Sequence, residues 1–143
     1  MSADRDSIMP AYEDVRNDSS ETTWAAFSYS EDGKTIAFDE SGNDYSQFLA
    51  KLNDDNRVYG FVRMETGDEM SKRAKFVFIT WIGKNVSTLK KAKVSTDKAF
   101  VKQICNNFAV EILESDIDQL SGENVLALVK KAGGANYGTG VRD

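Results

Sequence analysis

Eight basic residues set the chemistry open to this chain: Lys72, Arg73 and Lys75, then Lys90, Lys91, Lys93, Lys98 and Lys102. They lie within Met70–Lys102, which holds nine of the 18 Lys/Arg but only one, Asp97, of the 23 Asp/Glu. That stretch carries +8 in a protein of 143 residues whose formal net charge is −5. Cations gathered on one surface of an otherwise acidic molecule attract an acidic partner and fix its orientation. Other reactive groups are few. Histidine, the commonest general base and metal ligand, is absent. Cys105 falls on the apolar face of a helix and reads as an inert, buried thiol. Asp54-Asp55 and Asp116/Asp118 sit in a turn and a polar connection, where carboxylates are solvated. Gly83-Lys84 ends like a phosphate-binding loop, but Phe78 stands where that loop needs glycine. No catalytic residue, metal ligand or cofactor is expected, and the chain does not read as an enzyme.

The elements that must position these cations follow from periodicity. The run Phe76–Ile82 is short, apolar and β-branched or aromatic, the pattern of a central strand buried on both faces. Upstream, Ile8, Tyr12 and Val15 mark one face of a first helix, from near Ile8 to Asn17, with Ser7 as N-cap and Pro10 in its first turn. Thr22–Tyr29 and Lys34–Asp39 read as a hairpin turning at Ser30-Glu31-Asp32-Gly33. Asp44–Leu52 reads as a short helix and Arg57–Met64 as a third strand. Downstream, a helical signal runs from about Val86 to Phe108, with a break near Lys93–Ser95. Beyond that break Ser95 reads as N-cap, with Asp97 at the helix N-terminus. Phe100, Val101, Ile104, Cys105 and Phe108 form its apolar face, leaving Lys98 and Lys102 solvated. Val110–Leu113 is a short strand, and Gly122–Lys131 a last helix capped by Ser121 and stopped by Gly133-Gly134. Trp24 and Trp81 belong to the core.

The fold class is therefore α+β: one domain over residues 8–132, with a central mixed sheet of about five strands between helices on both faces. Residues 1–7 and 133–143 are expected to be flexible ends. A single cysteine cannot form an internal disulfide, no apolar run is long enough to span a membrane, and no signal-peptide core is seen. A reducing, cytoplasmic setting is expected. The sequons Asn17-Asp18-Ser19 and Asn85-Val86-Ser87 would go unused there.

The stretch KRAKFVFITWIGKNVSTLKKAKVSTDK closely resembles the coactosin branch of the ADF/cofilin-homology domain family. So do AYEDVRND at Ala11–Asp18, FVRMETGDEMSKR at Phe61–Arg73 and KKAGGANY at Lys130–Tyr137. The resemblance implies a mixed sheet between helices, no enzymatic activity, and binding to the sides of filamentous actin. It also implies a role in actin filament dynamics that includes opposing barbed-end capping. On this reading Lys75 is the first choice for a direct contact, with Lys72 and Arg73 beside it. Lys90, Lys91, Lys93, Lys98 and Lys102 form the helical part of the site.

Two departures from the cofilin branch bear on mechanism. Lys91-Ala92-Lys93 carries alanine where cofilins place a large apolar residue, and the N-terminus lacks their Met-Ala-Ser-Gly start. Both point away from severing, depolymerisation and tight monomer binding. A monomer is expected. The alternative is a binder of anionic lipid or nucleic acid using the same patch. It lacks exposed aromatics for base stacking, since Phe76, Phe78 and Trp81 read as buried, and it lacks an amphipathic helix with large exposed apolar residues.

Overall fold

The computed structural model describes residues 2–66 and 73–138. In chain order the elements are β1 (Ser2–Ala3), α1 (Arg5–Arg16), β2 (Trp24–Tyr29), β3 (Thr35–Gly42), α2 (Tyr45–Ala50) and β4 (Arg57–Thr66). There follow β5 (Arg73–Ile82), α3 (Thr88–Lys102), β6 (Val110–Glu114), a 3₁₀ turn at Ile117–Leu120 and α4 (Gly122–Gly138). The strands form one mixed sheet in the order β1-β3-β2-β4-β5-β6. The outer pairs β1/β3 and β5/β6 are parallel and the rest antiparallel. Five longer strands with helices on both faces match the expected α+β class, and β1 is a two-residue addition at one edge.

Strand alternation sorts the core into two layers. Ala25, Phe27, Tyr59, Phe61 and Phe78 face Ile8, Tyr12 and Val15 of α1 and Val94 and Val101 of α3. Trp24, Ala26, Val58, Val62, Val77, Ile79 and Trp81 face Phe48 of α2 and Val125 and Val129 of α4. Both tryptophans are buried, and each indole N–H donates to a backbone carbonyl, Trp24 to Asp44 and Trp81 to Asn53, at 2.8 Å. Gly60 leaves the space that the Phe48 ring fills: a Cβ there would stand 2.4 Å from the ring. Gly33 closes the β2–β3 turn at φ 71°.

Several expectations are corrected. The N-terminal residues read as flexible enter the fold: β1 pairs with Thr35–Ile36, and the Asp4 N–H donates to the Ile36 carbonyl at 2.7 Å. Helix α1 starts at Arg5, so Pro10 falls in its second turn. The carbonyl left without a donor there is tolerable because Pro10 faces solvent. Ser7 is no cap; its hydroxyl donates to the Asp4 carbonyl (3.2 Å) and accepts from the Phe38 N–H (3.0 Å). Helix α3 is unbroken, capped by Ser87 rather than Ser95, and Asp97 is buried in its middle. Phe100, expected in the core, is 37% exposed. Helix α4 runs through Gly133-Gly134 to Gly138. Glycine weakens a helix interior by about 1 kcal/mol relative to alanine but does not by itself end the helix, and α4 continues through both. Finally, β5 is not the central strand. It lies one in from the β6 edge, buried on both faces because α3 and α4 cover it from opposite sides.

Candidate functional site

The Ser87 hydroxyl accepts from the Lys90 N–H at the start of α3, and Val94 and Val101 pin the helix to the sheet. Its core face centres on Val94, Asp97 and Val101. At 100° per residue the opposite face carries Thr88, Leu89, Ala92, Ser95, Thr96, Ala99 and Gln103, all exposed. None is charged. The most exposed large apolar side chain here is Leu89, at 84%. Lys91, Lys93, Lys98 and Lys102 lie along the flanks of this uncharged strip, and Lys90, four residues before Val94, emerges below the first turn on the side of the sheet.

Their environments divide them into three groups. Lys90 and Lys91, in the first turn, are exposed and enter no ion pair among the described residues. Lys93 is turned inward: its ammonium lies 3.0 Å from an Asp97 carboxylate whose side chain is 4% exposed. The same carboxylate accepts from the Tyr29 hydroxyl at 2.8 Å. Tyr59 lies 3.2 Å from Tyr29 and donates to the Val94 carbonyl at 2.8 Å, so the network ties α3 to the sheet. Burial, the Tyr59 contact and the Asp97 carboxylate push the Tyr29 phenol far above its ordinary range, and burial pushes Tyr59 up to about 12. Lys98 and Lys102 form the third group. Both reach Glu111 on β6, at 3.2 and 2.7 Å. Partial burial raises the Glu111 carboxyl, but hydrogen bonds from Lys102 and Lys98 outweigh it and hold it below the usual range. The expectation that Lys98 and Lys102 are simply solvated is therefore corrected.

Lys75 is half-buried on β5, opposite Met64 of β4. Alternation puts it on the face of Val77 and Ile79, the side covered by α4, while α3 lies on the other side. Arg73 opens β5 opposite Thr66, and Lys72 lies outside the described residues. Among the eight cations read from the sequence, the described lysines thus do not form one ridge. Lys75 and the α3 lysines lie on opposite faces of the sheet, and three of the α3 lysines are already engaged.

Two features escaped the sequence reading. Leu89 sits five residues before Val94, which turns it roughly 140° from the core face, so a helical wheel reveals its exposure. Arg57, at the start of β4, stacks on the Tyr29 ring at 3.8 Å from its centroid, and nothing local in the sequence marks that pairing. Cys105 is buried as expected, and burial pushes its thiol up to about 12. Among the described residues no group of His, Cys, Asp or Glu could hold a metal ion, and no helix is long and apolar enough to cross a membrane.

With this architecture in place, comparison with known proteins is decisive on family. Residues 1–130 match the family of cofilin/tropomyosin-type actin-binding proteins, and the chain belongs to it. Within that family the chain is similar over nearly its whole length to coactosins. It is 48% identical over 134 residues to the human coactosin-like protein, covering 94% of this chain and 93% of the relative. The crystal structure of that human protein matches with a TM-score of 0.87 at 44% identity, over 92% of this chain and 98% of the other. Coactosin of Dictyostelium discoideum is 38% identical over 131 residues, 91% of this chain and 90% of the relative. The solution structure of mouse coactosin, described as an actin filament binding protein, matches with a TM-score of 0.78 at 44% identity, over 99% of both chains.

Proposed function

We propose that this protein binds the sides of actin filaments as a non-enzymatic, cytoplasmic component of the actin cytoskeleton. It acts without severing or depolymerising filaments, without tight binding to actin monomers, and in opposition to barbed-end capping. The observation that carries this reading is the solvent face of α3: an uncharged strip with Leu89 at one end and Lys91 at its side, while Lys90 is exposed below the first turn. An uncharged strip seats closely on another protein without desolvating a charge, while flanking lysines steer an acidic filament into register. The family and the filament-binding mouse relative support actin as the acidic partner. Lys75 supplies a second contact region on the other face of the sheet, and Lys72 and Arg73, its neighbours in sequence, belong to the same proposed contact. Lys93, Lys98 and Lys102 contribute after exchanging their internal partners for filament carboxylates.

The test is co-pelleting of the pure protein with actin filaments. Wild type is expected to pellet, and a folded Lys75→Ala variant to lose most of its binding. Near wild-type pelleting by that variant would remove Lys75 from the interface. In a pyrene-actin assay stoichiometric protein is expected to leave filament loss unchanged, and faster loss would overturn the non-severing reading. The nucleic-acid alternative gains no support, because Phe78 and Trp81 are buried, whereas the expectation that no helix exposes a large apolar side chain is corrected by Leu89.

A further inference from the structure

Asp97 is buried on the core face of α3 between Val94 and Val101, and the filament reading gives it no task. The two valines lie almost in line along the helix, and apolar packing has no direction. They resist lifting α3 off the sheet far better than they resist turning it about its own axis. Directional contacts come from two neighbouring strands. Tyr29 of β2 gives its hydroxyl proton to Asp97 at 2.8 Å, and Tyr59 of β4 gives its own to the Val94 carbonyl at 2.8 Å. Each phenol has one proton, so neither bond can replace the other. Arg57, 3.8 Å from the centroid of the Tyr29 ring, holds that ring in place. Lys93 also reaches Asp97, at 3.0 Å, but both residues belong to α3, so their pair cannot fix the helix against the sheet. Once Lys93 turns to a filament carboxylate, Tyr29 is the side-chain donor that remains to Asp97 among the described residues.

We propose that Tyr29 is a positioning residue for the filament interface. Without touching the filament, it sets the rotation of α3 about its axis and so the direction in which Leu89 and Lys91 are presented. The role rests on the filament reading given above. A turn of about 20° moves an atom at the outer radius of a helix, about 5–6 Å from its axis, by about 2 Å. Such a turn breaks an O–H···O bond, which holds over a range of only about 0.5 Å. It also carries a leucine that must enter a close-packed seat out of register with it.

The test compares filament pelleting by wild type, Tyr29→Phe and Ile79→Val. The last is a core change on the α2 and α4 side of the sheet, expected to lower the melting temperature to a similar degree. Tyr29→Phe keeps the ring and loses the bond, and it should bind filaments about tenfold more weakly. Ile79→Val should bind as wild type does. Adding Leu89→Ala to Tyr29→Phe should weaken binding by less than the product of the two single effects, because a misaimed leucine has little left to lose. Residual dipolar couplings of free Tyr29→Phe should show α3 turned or loosened against an unchanged sheet. Equal losses in Tyr29→Phe and Ile79→Val, effects that multiply in the double variant, or an unmoved α3 would each overturn the role. Wild type that fails to pellet overturns the filament reading and this role with it. Wild type that pellets beside an equally tight Tyr29→Phe overturns this role alone.

Discussion

In the first turn of α3 Lys90 and Lys91 are exposed and enter no ion pair among the described residues, next to a leucine that is 84% exposed. Three turns later Lys98 and Lys102 converge on one carboxylate, and between them Lys93 is drawn under the helix to Asp97. Residue type and spacing hardly differ along the helix, yet the work done does. A free exposed lysine offers its whole charge to a partner. One already paired offers only the difference between two ion pairs, about 1 kcal/mol or less for exposed partners. Binding and fold support can therefore be separated along a single helix.

The largest effect on binding is expected at Leu89. Burying a leucine side chain contributes about 2 kcal/mol, so Leu89→Ala should weaken filament pelleting roughly thirtyfold with an unchanged melting temperature. An unchanged dissociation constant would leave the interface purely electrostatic. On stability the leading change is Lys93→Ala, which leaves a buried carboxylate short of a partner. It should cost about 1–3 kcal/mol in urea unfolding, against less than about 0.5 kcal/mol for Lys90→Ala. Equal costs would show that Lys93 is no part of the fold.

The tyrosines of the same network make stability fall in alkali. A phenol whose folded pKa lies above its unfolded value of 10.0 stabilises the fold fully below pH 10, and that contribution is lost as pH rises through the folded value, about 12 for Tyr59. Tyr59→Phe should flatten this decline between pH 10 and 12. Removing the charge of Lys90 or Lys91 should lower filament affinity only a few-fold, mostly through slower association and a shallower salt dependence. Stopped-flow binding at two ionic strengths measures both. The smallest change is expected from Glu111→Gln. By releasing Lys98 and Lys102 it should tighten pelleting about twofold at low salt, and weaker pelleting would mean that Glu111 itself meets the filament.

The sheet and its helices were legible because each strand alternates against two covered faces and each helix carries an apolar stripe. Ser121 and Gly33 announced the local geometry they adopt. What could not be read was tertiary. Ser95 and Ser87 are equally good caps by type, and only the seating of Val94 and Val101 on the sheet keeps α3 whole. Asp97 resembles any polar helix residue until Tyr29, 68 positions away, supplies its hydroxyl. The lysines were legible as charges. Which of them are spoken for depends on Asp97 below the helix and Glu111 on another strand.

The clamp at Glu111 has a consequence for how copies of the molecule behave toward one another. Strand β6 ends the sheet among the described residues, so one side of its backbone has no neighbouring strand there, and its Leu113 is 54% exposed. Such an edge invites a strand from another chain, and charge placed on it is a common safeguard. Two ammonium groups and a carboxylate held at Glu111 put that safeguard near the start of the strand. Decoration of a filament would bring many copies side by side at high local concentration, where an unguarded edge is most hazardous. Lys98 and Lys102 then keep neighbours apart, and a Lys98→Ala/Lys102→Ala double variant should scatter more light with time than either single change.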